Sequence, residues 1–413
     1  MAFRENVVLF QEAGALPAGT PAVLELSTQH FHANEREIVL DGKAHATGRT
    51  GQGEGWEIDS GTLRITGDFQ RDAKLDRKAI AWIEATGGFT ATLQDRARAI
   101  GDTLRGNADT TRIEGSPARL ELVARAGAVL ESSWIQYDAE NLLLSSDKGK
   151  LTPVGGAADS WSVTYESLQP FARGESTILV LRNPRFRQGE KEMRALWALF
   201  WVDRDEWRKR GEKVMREKAQ GPELRVTVPD APSAPNAPGK PGDDKTLADR
   251  FAMLRQHPIA QVLSEMYLEG NMELTEAGER IARAAAMYLD LKEGRGWAQD
   301  ADVIQDIEIR NKMQRFRAKA QWLSIGPDLS LRADRAVLTS CEYDDPHYVI
   351  ETHDLRLKPP RRAKSRSFYV SARENSLRFG ASWAMPLPPL LAGSDENGYP
   401  FIGDLNFGNT ARF

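Results

Sequence analysis

The chain holds a single cysteine, Cys341, in 413 residues. One thiol cannot close a disulfide within the chain, which excludes a disulfide-stapled scaffold. Three readings of that thiol stay open: a small buried residue, a bridge to a partner or to another stretch of the protein, and a nucleophile. The last has least support, since no local sequence arrangement of histidine builds a nucleophile–base pair.

Long apolar runs are also absent. The longest, residues 195–202, falls far short of the roughly 20 residues that a membrane-crossing helix needs. The opening Met-Ala-Phe-Arg-Glu-Asn lacks the charged head and apolar stretch of a secretory leader, and strand-like sequence begins at Asn6. The expectation is a cytosolic protein or a fragment whose start is missing. Excess charge of one sign is lacking too. A formal net charge of −4 gives no electrostatic reason to bind nucleic acid.

What remains is ordinary globular composition, 41% hydrophobic and 28% charged, long enough for two or three domains with real cores. The pattern is alternation. Val7 and Leu9, Leu24 and Leu26, and Ile38 and Leu40 before Asp41-Gly42 read as strands, and Asp-Gly between apolar alternations marks a turn. Leu63 and Ile65 flank Arg64, and Ala118, Leu120, Leu122 and Ala124 alternate with Arg119 and Glu121. Many short strands of this kind predict an antiparallel sandwich, jelly roll or β-solenoid. Past residue 300, Phe316, Ala318, Ala320 and Trp322 are predicted to face one way, and Arg315, Arg317, Lys319 and Gln321 the other.

Between these regions the pattern changes. Asp203 with Glu206 fits a capping box, and Val202 can staple onto Trp207, so the charged run from 205 to 218 is predicted as a short helix. Five prolines within residues 228–243 forbid regular structure and make a spacer. Leu247, Phe251 and Leu254 predict one helix, and Ile281, Ala284, Ala285, Tyr288 and Leu291 another, capped by Gly294. The predicted organisation is therefore a β-rich domain over 1–190, a short helix and strand over 191–227, a proline-rich linker over 228–245, a helical segment over 246–295, and a second β-rich region over 296–413.

Candidate chemistry is sparse. Gly51, Gly53 and Gly55 precede neither a helix nor a Lys-Ser/Thr pair, so a loose turn explains them better than a phosphate cradle. His30 and His32 share one face of a strand without a third ligand, and a surface pair is the favoured reading. His347 and His353, with Asp344, Asp345 and Asp354 nearby, form either a metal or acid–base cluster or a set of polar loop residues. No pair among the 59 carboxylates stands out as a glycosidase couple. Lys358, Arg361, Arg362, Lys364 and Arg366 are a solvated loop or a contact for anionic lipid. The apolar, proline-rich residues 383–391 suit packing against a partner, a membrane interface or a neighbouring domain.

Several segments together carry a resemblance. Ile113-Glu114-Gly115-Ser116-Pro117-Ala118-Arg119-Leu120, then Ala139-Glu140-Asn141-Leu142 and Gly149, resemble the OstA/LptA-like repeat of lipopolysaccharide-transport proteins. The opening, from Asn6-Val7 through Leu26-Ser27-Thr28 to Gly53-Glu54-Gly55, is similar to the related LptC-like domain. Leu338-Thr339-Ser340-Cys341, Tyr348, Asn375-Ser376-Leu377-Arg378-Phe379 and Pro386-Leu387-Pro388 look like LptD. The LptD/OstA resemblance implies β-jelly-roll (β-taco) domains without cofactor, metal or catalysis, at work in the periplasm and outer membrane of a Gram-negative-type cell. Such a domain opens along one side and shelters acyl chains of lipopolysaccharide or a similar lipid. Its edge strands stack on other jelly-roll transport proteins, and an inner-membrane ATPase supplies the energy. Leu120, Leu122, Phe316 and Trp322 are the residues expected to line the groove. Cys341 is expected to pair with the family's outer-membrane barrel segment, which this chain lacks. The linker and the helical segment have no counterpart in the simplest members. A structural or adhesion module and a carbohydrate-active enzyme are the rival readings, requiring respectively a sealed core and a cleft with two convergent carboxylates.

Overall fold

The computed structural model describes residues 2–4, 7–10, 24–203 and 263–392, apart from short connections at 50–54, 68, 70–79, 94–96, 108–109, 123–127, 139–142, 154–160, 175, 310–311, 329, 342–345, 359–368 and 381–382. Every regular element among them is a β-strand, and the strand pairings described are antiparallel, as the alternation predicts. The expected helix over 205–218, the linker over 228–245 and the helix marked by Leu247 to Leu254 lie outside the described residues. The chain divides into two compact units. The described part of one runs to Gly189, and the other holds 190–202 together with the strands from Leu263 onward.

The first unit is an up-and-down meander. Glu37–Arg49 pairs with Gly55–Gly67, which pairs with Ile80–Leu93. Thr110–Leu122 pairs on one side with Ala97–Gly101 and Thr103–Gly106, and on the other with Ala128–Asp138. Shorter strands from Leu143 to Gln188 continue the same course. The second unit repeats it, from Trp197–Asp203 on Leu263–Glu276 through Glu279–Asp290, Arg295–Ile309, Lys312–Ile325, Leu331–Thr339, Tyr348–Lys358 and Tyr369–Phe379 to Trp383–Leu387.

Each long strand bends near its middle, and the sequence shows how. Alternation runs in, out, in, then two or more successive residues face away from the core, then inward positions resume. Ile58 and Ser60 are buried, Gly61 and Thr62 are not, and Leu63 and Ile65 are buried again. The same slip occurs at Ser133-Trp134, between Ser132 and Ile135, and at Asp334-Arg335, between Ala333 and Ala336. Arg373-Glu374, between Ala372 and Asn375, repeats it. Backbone conformation supplies the turn. Asp300, Asp354 and Glu374 take φ of 48°, 49° and 51°, while Gly87 and Gly88 take 77° and 80°. Hydrogen bonds carry the bend from strand to strand. Gly88 N donates to Asp102 O at 3.2 Å, and Asp102 N donates to Glu114 O at 2.8 Å. Each unit is thus a sheet creased along a line, its apolar faces turned towards one another.

The crease holds the core. Leu40, Leu63, Ile65, Ala85 and Ile135 in the first unit are fully buried, each aliphatic side chain of Leu or Ile size contributing about 1.5–3 kcal/mol. Leu268, Met287, Ala333, Leu355 and Ala372 play the same part in the second.

Two expectations are overturned. Asp41-Gly42 is not a turn between strands but the bend within Glu37–Arg49, where Gly42 takes a φ of 78°. Ile281 to Leu291 is not a helix. Residues Glu279–Asp290 form a strand between Leu263–Glu276 and Arg295–Ile309. Alanine-rich sequence carries high helix propensity, but pairing on both sides overrides it. The same is true of Leu263–Glu276 and of the start of Arg295–Ile309, so no part of the predicted 246–295 helical segment that is described is helical.

Candidate functional site

Between the creased halves of each unit lies an apolar face whose exposure changes with distance from the crease. Beside it, side chains are sealed. Towards the strand ends burial is mixed: some inward side chains become half-buried, while Ile38, Ile65, Ala128, Ile325 and Leu331 stay buried. Along Ile80–Leu93, Ala85 and Phe89 are buried, while Ile83, Ala91 and Leu93 are half-exposed. Along Thr110–Leu122, Ala118 and Leu120 are buried and Leu122 is half-buried, its strand register setting it opposite Ala128 and Ala97. In the second unit Ala301 and Ala336 are buried at the crease, whereas Ala318 and Phe316, further along, are half-buried. Each unit therefore carries an apolar face that is buried at the bend and partly accessible further along, where Leu122 and Phe316 are half-buried.

Trp322 is not part of it. It is 52% exposed and faces away from Leu323 and Ile325, because Gln321-Trp322 is the outward pair of the slip in Lys312–Ile325. Strict period-two counting from Phe316 carries across the crease and assigns Trp322 to the wrong side. Its ring lies 5.4 Å from that of Trp297, edge to face, and Trp297 also packs 6.2 Å from both Tyr267 and Tyr288. The Tyr288 hydroxyl donates to Glu265 at 3.0 Å, and burial followed by that carboxylate pushes the phenol up to about 12. Burial, with Glu269 beside it, raises Tyr267 as well.

The remaining candidates are dispersed. Cys341 is a half-buried free thiol, its Sγ 3.5 Å from His347 Nδ1, a neighbour that sequence order alone did not bring to it. His347 precedes the strand Tyr348–Lys358 and His353 lies within it, roughly 20 Å apart at 3.3 Å per extended residue, so the two do not converge. Asp344 and Asp345 lie outside the described residues, and Asp354 is engaged by Arg356 and Arg332, which hold its carboxyl below the usual range. His30 and His32 are exposed on the strand His30–Ala33. Of the basic run only Lys358 is described, and of Gly51, Gly53 and Gly55 only Gly55, which opens a strand. Residues Trp383–Leu387 and Leu390–Ala392 pair with Tyr369–Phe379, and Met385 is 38% exposed.

Two groupings were not legible in the sequence. On the outward side of the first unit His45 Nδ1 lies 2.7 Å from Asp59 and 3.8 Å from Glu57, three donors able to hold a divalent cation. The register pair His45 with Asp59 joins residues that only the hairpin brings together. In the second unit Asp302 and Arg317, both buried, form a two-pronged ion pair at 2.8 and 2.7 Å.

No family model matches this chain, and no curated protein matches it.

Proposed function

We propose that the protein is a non-enzymatic lipid conduit, of the kind that moves lipopolysaccharide or a similar amphiphile between membranes of a Gram-negative-type envelope. The observation that carries this reading is the apolar face of each unit, buried at the crease and half-exposed at Ile83, Leu93, Leu122 and Phe316, which we read as a trough open on one side. An acyl chain laid along it gains roughly 0.8 kcal/mol per buried methylene, while its polar head stays in water at the open side. No directional recognition is needed for that. Partners consistent with the reading are further jelly-roll modules adding to exposed sheet edges, and an outer-membrane barrel. Cys341 keeps its proposed role as the thiol that pairs with a segment outside this chain.

The test is site-specific photo-crosslinking. A photoreactive residue replaces Leu122 or Phe316, with outward Arg64 and Lys319 as controls, in protein incubated with lipopolysaccharide. Arg317 is unsuitable as a control because it is buried against Asp302. Adducts at Leu122 and Phe316 alone support the conduit. Equal labelling everywhere, or none, means that the trough is closed core, and the structural-module reading then takes its place.

A further inference from the structure

We propose that a notch on the outward side of the first unit's crease binds a phosphate monoester, carried by a sugar phosphate or by the head of a phosphorylated lipid. The notch has a volume of about 550 Å³ and crosses four strands where they bend. One wall is the bulge in Thr110–Leu122, where pairing jumps from Glu114↔Trp134 to Ala118↔Ser132 and leaves Ser133 facing the extra residues. The floor is the ring of Tyr165, seated over Gly149 so closely that a Cβ there would fall 2.2 Å from its hydroxyl oxygen. Ser116, Ser133, Thr164, Lys148 and Lys150 belong to the lining and bring three hydroxyls and two ammonium groups to its neighbourhood.

Charge selects the ligand. Lys148 and Lys150 are exposed, and among the described residues neither forms an ion pair. Some other outward cations of this unit are engaged, Arg64 with Glu37 at 3.1 Å and Arg112 with Glu114 at 2.7 Å. The one carboxylate in the lining, Glu131, has Arg119 at 3.8 Å. Cross-strand register places Arg119, Glu131, Lys150, Thr164 and Arg185 in one row, three cations against a single acid. Two unneutralised ammonium groups beside three hydroxyl donors suit a dianion with several acceptor oxygens. The volume exceeds what a bare phosphate fills and falls within the range of small-molecule sites, which leaves room for an attached sugar or glycerol. A cation is repelled, and a neutral sugar finds no use for the two charges.

Isothermal calorimetry of the full chain with glucose 1-phosphate, inorganic phosphate and glucose tests the proposal. Flotation with phosphatidylcholine vesicles, with and without phosphatidic acid, forms the second arm. Variants are Lys148→Gln/Lys150→Gln and, as a control on an exposed lysine of the other unit, Lys292→Gln. The expected result is binding of a phosphorylated probe that weakens roughly tenfold, about 1.4 kcal/mol, in the double variant and is unchanged in the control. Which arm responds identifies a soluble or a lipid source. Binding of no phosphorylated probe, equal affinity of the double variant, or equal binding of glucose overturns it. Both lysines are exposed, and an unchanged thermal midpoint certifies that the double variant is folded. None of the positions labelled in the crosslinking test lines the notch, so this result and the crosslinking result fail independently.

Discussion

Asp302 illustrates how single residues here depend on neighbours far away in sequence. Burial alone would raise its carboxyl, but the hydrogen bonds from Arg317 and the charges of Arg317, Arg283 and Lys319 outweigh it and hold the group below the usual range. A carboxyl lowered in the folded state contributes stability above its unfolded value, about pH 4, and loses that contribution as pH falls through the folded value. Asp302→Asn is therefore expected to cost about 3–5 kcal/mol at neutral pH, because Arg317 stays buried without its partner. It should also flatten the loss of stability below about pH 4, and denaturant unfolding across that range checks both effects. None of this was visible in the chain itself. Alternation placed Arg317 opposite Phe316 and Ala318 correctly, yet the partner that buries it comes from another strand, 15 residues earlier.

At the scale of elements, the slip decides what was legible. Of Glu37–Arg49, Gly55–Gly67 and Thr110–Leu122 only one half each was readable, through Ile38 and Leu40, Leu63 and Ile65, and Ala118 to Leu122, where alternation is clean. Apolar residues on both faces of a strand can also fall at helical spacing: Ile281 and Ala284 are buried, Ala285 is exposed and Tyr288 and Leu291 are half-buried, and together they imitate a helix. That is why residues 281–291 predicted a helix, whereas the slip is why Trp322 was assigned inward. Two glycines measure what the crease demands. Gly270 and Gly278 share a φ of 82°, but a Cβ at Gly270 would lie 2.5 Å from Leu196 Cβ, whereas Gly278 has nothing within 4 Å. Gly278→Ala is expected to cost about 1–2 kcal/mol, the left-handed penalty alone. Gly270→Ala should cost about 1–3 kcal/mol more through overpacking. Urea unfolding of the two variants makes the comparison, and equal losses would mean that the crease yields freely.

For each unit as a whole, the mainly β fold class was legible and the bend was not, because the bend arises from where slips line up across strands. The trough we propose predicts how ligand length is read. Each methylene that enters the trough adds about 0.8 kcal/mol, so saturated fatty acids should bind about fourfold tighter per added carbon until the trough is filled. Displacement of a fluorescent fatty acid measures this, and a profile indifferent to chain length would argue for a sealed interior.

The crease has a consequence for inheritance. Since every long strand carries its own slip at matching height, a hairpin is a complete unit of length, contributing two bent strands and a further stretch of trough. Duplicating one lengthens the protein and leaves the existing pairings as they stand. Deleting one residue between a slip and its strand end instead turns the inward set of that half outward. Length variation in such a chain is therefore tolerated in whole hairpins or at their loops, and selected against within the arms.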